Sequence, residues 1–99
     1  MSDFTIADTI VSQMGGFGTL KLFVNGRNFV ADDSSVMFKF SGSRKFNFCR
    51  VIYNYGMDLY EMHFIKVWGD KRKEEVVENV YCDMLVEIFE NKTGLYLHF

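Results

Sequence analysis

The chain has 99 residues, 48% of them apolar and 24% charged, and its net charge is −2 at pH 7. That length builds one domain around one core, and the composition excludes a disordered chain. The charge predicts no general affinity for nucleic acid. No apolar run approaches the ~18 residues of a membrane span, and the start of the chain, with Asp3 and Asp8 and no early basic residue, is not that of a signal peptide.

Two cysteines, Cys49 and Cys82, stand far apart and outside any C-x-x-C pair. A secreted domain of this size is usually stapled by more bridges, so the expected location is the reducing cytoplasm. Proline is absent, which leaves the punctuation of the fold to eight glycines. Aromatic residues make up 17% of the chain, a large hydrophobic payload for a small core.

In chain order, Ile6, Ala7, Ile10, Val11 and Met14 recur at spacings of three and four, so residues 5–14 are expected to form an amphipathic helix. Thr5 and Asp8 fit its first turn, and Gly15-Gly16 its end. Residues 19–24 read as a strand. Asn25-Gly26 then reads as a type I′ hairpin turn, because both central positions of that turn need positive φ. The returning strand covers about 28–31, and Asp32 to Ser35 make a polar turn. Residues 36–40 alternate, with Val36, Phe38 and Phe40 on one face.

Residues 46–53 form the next expected strand, with Phe46, Phe48 and Ile52 on one side and Cys49, Val51 and Tyr53 on the other. Residues 59–68 form the longest, closed by Gly69-Asp70. Residues 71–78 fit either a helix start or a further strand. Beyond them Val80, Tyr81, Met84, Leu85, Ile88 and Phe89 make a helical stripe, with Asn79 as N-cap and Thr93-Gly94 as its end. The expected fold is therefore a single α+β domain over 1–99. It is an antiparallel sheet of about four to six strands, flanked by an N-terminal and a C-terminal helix.

The longest strand carries apolar residues on both faces. Tyr60, Met62, Phe64 and Trp68 lie on one, and Leu59, Ile65 and Val67 on the other with Glu61 and His63. A solvated sheet face should alternate apolar with polar. Two helices cover one face of such a sheet and not both, so the second face calls for a curled sheet or a partner. The aromatic face at Tyr60, Phe64 and Trp68 is the expected protein-binding surface, with a host or phage protein or a second copy of the chain as its partner. A strongly curled sheet that buries its own aromatics is the plain alternative.

Charge is uneven as well. Residues 19–56 hold six bases against two acids, and residues 74–90 hold six acids and no base. The acidic stretch, with Glu78, Asp83, Glu87 and Glu90, could imitate nucleic-acid phosphates, although a solvated helix face explains it as well. The bases Arg44, Lys45 and Arg50 beside sheet aromatics support an alternative reading as a small nucleic-acid-binding module. Arg27-Asn28-Phe29-Val30, however, lacks the glycines and second aromatic of the RNA-recognition signature.

Catalytic chemistry has little to stand on. His63, His98 and the two cysteines show no metal-ligand spacing. Gly15-Gly16-Phe17-Gly18 follows a helix and precedes a strand, the reverse of a dinucleotide fingerprint. Asp58 and Glu61, three apart at a strand start, fall on opposite faces. Catalysis by His63 or His98 with a cysteine is the remaining enzymatic option, and a satisfied structural histidine competes with it. No enzyme activity, metal or cofactor is expected.

Several stretches carry a resemblance. Ile10-Val11-Ser12-Gln13-Met14-Gly15-Gly16, Asn28-Phe29-Val30, Phe38-Lys39-Phe40 and Met57-Asp58-Leu59-Tyr60 are four of them. The closest is Val80-Tyr81-Cys82-Asp83-Met84-Leu85, followed by Phe89-Glu90-x-x-Thr93-Gly94-Leu95-Tyr96. Together they resemble a family of short, uncharacterised proteins of tailed phages and prophages. The chain departs from that pattern at Cys82, where the family tends to have Ala, and at Val24-Asn25-Gly26, where it often has Thr-Gly-Ala. The resemblance implies a source and no mechanism. Small phage proteins of this kind commonly act by binding, as inhibitors of host enzymes or defence systems or in morphogenesis.

Overall fold

The computed structural model describes residues 5–97. The elements run α1 (Thr5–Gln13), α2 (Phe17–Val24), β1 (Arg27–Ala31), β2 (Ser35–Lys39), β3 (Phe48–Asn54), β4 (Leu59–Trp68) and β5 (Lys71–Val80). A 3₁₀ turn at Cys82–Met84 leads into α3 (Leu85–Thr93). The strands form one antiparallel meander in the order β1-β2-β3-β4-β5. The α+β architecture with helices near both ends is as expected.

The first departure is at residues 17–24, which form a helix and not a strand. Asn25 adopts the left-handed conformation with φ 54 and ψ 44. Its N–H donates to the Lys21 carbonyl at 3.2 Å, and the Gly26 N–H donates to the Leu20 carbonyl at 2.8 Å. The Asn25 bond is that of an αL cap, and the Gly26 bond adds to it. Asn25 supplies in a helix cap the positive φ that a hairpin turn would have needed at Gly26 as well, and Leu20 and Val24, four apart, point into the core.

After the Gly69-Asp70 turn, the stretch left open between helix and strand is a strand, β5. Residues 71–80 pair with β4 around that turn, with Trp68 opposite Lys71, Lys66 opposite Lys73 and His63 opposite Val76. The last helix therefore starts later than the apolar stripe suggests. Val80 is buried at the end of β5, Tyr81 is exposed, and Asn79 has φ 58 beside an irregularity in the β4–β5 register instead of capping a helix. Gly94, with φ 75, ends α3 where expected.

The core lies on one side of the sheet. Val36, Phe38, Cys49, Val51, Met62 and Phe64 meet Ile10, Val11 and Met14 of α1, Leu20 and Val24 of α2, and Leu85 and Phe89 of α3. Phe89 is the junction. Its ring centroid lies 5.2 Å from Phe40, 6.1 Å from Phe38 and 6.3 Å from Phe64. Phe46 precedes β3 and turns into this core, not onto the Phe48 face expected for it. Truncating a fully buried phenylalanine leaves a cavity that its neighbours only partly close. Phe89→Ala is expected to lower the unfolding free energy by about 3–5 kcal/mol, measured by urea denaturation.

Candidate functional site

Strand alternation sorts the side chains of β2 to β5 into two sets. Tyr60 and Phe64, expected at a partner surface, belong to the core set with exposures of 7% and 0%. The three helices cover the face that carries them, so neither is free to bind. Trp68, two residues past the point where that cover stops, is 44% exposed.

The opposite face carries Met37, Phe48, Ile52, Leu59 and Ile65, none of which joins the core cluster. Val30, Val67 and Val76 are exposed. Charges of both signs interleave with them. Arg50 reaches Asp32 at 3.7 Å, and Lys39 lies over the Phe48 ring at 5.7 Å. At the centre, His63 Nδ1 lies 2.8 Å from Glu74 Oε2, and Glu61 stands 3.9 Å from Nε2. Arg72 meets Glu74 at 3.3 Å. The His63 Nε2 atom is buried without a hydrogen-bond partner among the described residues.

The basic residues of the nucleic-acid reading divide. Arg50 is on the open face, held by Asp32, whose own carboxyl is drawn below its usual range mainly by the Ser34 N–H. Arg44 and Lys45 sit together on the loop between β2 and β3, in a shallow groove of about 570 Å³ with Lys66, Trp68 and Lys73. Two polar residues pin that loop. The Asn47 side chain donates to the Val67 carbonyl at 2.8 Å and accepts from the Val67 N–H at 2.9 Å. Ser43 Oγ donates to the Thr93 carbonyl at 2.8 Å and accepts from the Lys45 N–H at 3.1 Å. Lys66, Lys73 and Asn47 were not singled out from the sequence. Reading 71–80 as a strand would have found the lysines, since both lie the same distance from the Gly69-Asp70 turn.

Among the described residues the structure does not bring either cysteine beside a histidine. Cys49 is fully buried on the core face, and burial pushes its thiol well above the usual range. His63 faces the other side of the sheet, paired across β3–β4 with Arg50 and not with Cys49. Cys82 lies at the far end of the sheet, in a cleft with Tyr60 and Tyr81. His98 is outside the described residues. Among the described residues no three His, Cys, Asp or Glu side chains converge as metal ligands, and no helix is long and apolar enough to cross a membrane. Tyr53 donates its hydroxyl proton to Asp58, which with partial burial pushes the phenol up to about 12 and keeps it neutral at physiological pH.

The acidic run is also split. Glu74, Glu75 and Glu78 are on β5, whereas Asp83, Glu87 and Glu90 follow in the 3₁₀ turn and α3. Glu75 is held by Lys92 at 3.3 Å, and Glu90 accepts the Leu97 N–H at 2.8 Å. No continuous helical row of carboxylates results. Comparison with known protein families, curated proteins and solved structures finds no match to the chain.

The His63 hydrogen bond, and after it Arg72, holds the Glu74 carboxyl below its usual range. A carboxyl with a lower pKa in the folded than in the unfolded chain adds stability above the unfolded value of about 4.3. That stability is lost as pH falls through the folded value. Glu74→Gln is expected to melt below the wild-type chain at pH 7. The gap should narrow from about pH 4.3 downward and close at lower pH, followed by circular dichroism.

Proposed function

We propose that the protein acts by binding another protein through the face of the sheet that its helices leave uncovered. The observation that carries this reading is the placement of α1, α2 and α3 on one side of a five-stranded sheet. The other side keeps Val30, Val67 and Val76 exposed around a polar centre at His63 and Glu74. An apolar surface studded with both signs of charge suits a protein partner. It does not suit a polyanion, which Asp32, Glu61 and Glu74 would repel. Phe48, half-buried on β3, lies at the middle strands of that face, where a partner's side chains would be most fully desolvated. The resemblance to short phage proteins points to the same class of activity. On that resemblance, the finer reading is inhibition of a host enzyme or defence system, with no catalysis of its own.

Val76 is half exposed and stands opposite His63, so its replacement disturbs the face and spares the core. Val76→Lys is expected to keep the wild-type circular dichroism and melting temperature. It should fail to hold the partner that the tagged wild-type chain retains from nuclease-treated host lysate, or fail to self-associate in analytical ultracentrifugation if that partner is a second copy. The reading fails if Val76→Lys binds as the wild type does, or if the wild type is monomeric and retains nothing.

A further inference from the structure

The groove beside the Gly69-Asp70 turn has a composition unlike the rest of the surface. Arg44, Lys45, Lys66 and Lys73 line it with Trp68, and no carboxylate does. Among the described residues Arg44, Lys45 and Lys66 form no salt bridge, and Lys73 has only Glu75 at 3.5 Å. Lys66 and Lys73 are direct cross-strand partners, and Lys71 stands opposite Trp68. Like charges directly opposed on a sheet are destabilising. The fold thus carries an electrostatic cost at this spot that only the contacts of Lys73 with Glu75 and with the Phe46 ring offset, leaving Arg44, Lys45 and Lys66 outside any salt bridge. The loop bearing Arg44 and Lys45 is fixed on both flanks by Ser43 and Asn47, so the backbone that carries these two cations is set before any ligand arrives.

We propose that this groove binds single-stranded nucleic acid, with the phosphates held by Arg44, Lys45, Lys66 and Lys73 and an unpaired base stacked on Trp68. The cations supply the sequence-independent backbone contacts, and the exposed indole supplies a stacking platform that any base can use. A duplex hides its base faces and would leave the indole without a partner. A membrane surface would need apolar side chains projecting beside the lysines, and Trp68 is the single apolar residue lining the groove. In the adjoining cleft along α3, Lys45 and Lys92 are joined by the carboxylate of Glu75, which pairs with Lys92 at 3.3 Å, so the carboxylate-free run of bases lies at the end of the sheet. This site is separate from the open sheet face, and either can fail without the other.

Trp68 is the only tryptophan, so its emission reports on this groove alone. Titrating the full chain at low salt with an oligothymidylate of roughly 12 nucleotides, within the usual span of a single-strand site, should quench that emission. The logarithm of the binding constant should fall linearly with the logarithm of salt concentration, with a slope of up to about −3 for four phosphate contacts on a single strand. Lys66→Glu should lose at least tenfold in affinity, followed by anisotropy of a labelled oligonucleotide. The same variant should raise the melting temperature, because it turns the Lys66–Lys73 repulsion into an attraction, so a loss of binding cannot come from unfolding. Trp68→Leu should cost about tenfold, in line with one lost base stack. Arg50→Ala, on the other face, should bind as the wild type does. The proposal is overturned if the oligonucleotide leaves Trp68 emission unchanged at low salt. It is equally overturned if duplex DNA or polyglutamate binds as tightly as the single strand, or if phosphatidylserine–phosphatidylcholine vesicles shift the emission where the oligonucleotide does not.

Discussion

Phe89 reaches from α3 into the space between Phe38, Phe40 and Phe64, and Phe46 continues that aromatic layer 5.6 Å from Phe64. Rings of this size bury much of the apolar surface that a short chain has to offer, and their edge-to-face contacts add to the burial. Every helix has to bring its apolar stripe to this layer, because no other part of the molecule is wide enough to receive it. Once α1, α2 and α3 are packed there, no element is left for the second face of the sheet. The sidedness of the protein follows from where its phenylalanines fall along the strands.

That sidedness separates two kinds of surface. The uncovered sheet face mixes valines and isoleucines with paired charges, and its ion pairs (Arg50 with Asp32, Arg72 with Glu74) already neutralise one another, with His63 hydrogen-bonded to Glu74. The end of the sheet past Phe46 is the reverse. There the core runs out, the lysines of β4 and β5 face each other, and the pinned loop adds two more bases without adding an acid. A surface whose charges are satisfied internally is suited to close, largely apolar contact. One where charge of a single sign predominates is suited to a ligand that carries the opposite sign.

Much of this was legible in the sequence, and the errors have physical causes. The alternation in 36–40 and 59–68 and the glycines after α1 and α3 each answer to one periodicity or one conformational demand, and those elements stand where expected. Residues 19–24 satisfied two periodicities at once, and Asn25-Gly26 suits a left-handed helix cap as well as a hairpin turn. The charges of Lys71 to Glu75 obscured an edge strand, because edge strands are the ones that carry charge to resist further pairing. With 71–78 left open between strand and helix, the bases opposite Lys66 and Trp68 could not be placed, and Tyr60 and Phe64 could not be assigned to the covered face. Alternation separates the two faces of a strand and is silent on which one the helices take.

The account rests on the outer face being open in the isolated chain. Valine methyl groups sample both sides of the sheet, so ¹³C-methyl-labelled valines in the presence of a soluble gadolinium chelate test this directly by nuclear magnetic resonance. Val30, Val67 and Val76, exposed at 59%, 39% and 46%, are expected to broaden strongly. Val36, Val51 and Val80, at 2% or less, are expected to keep their linewidths. Protection of the first three to the level of the second, persisting on dilution, would mean that the chain covers this face itself and would contradict the account.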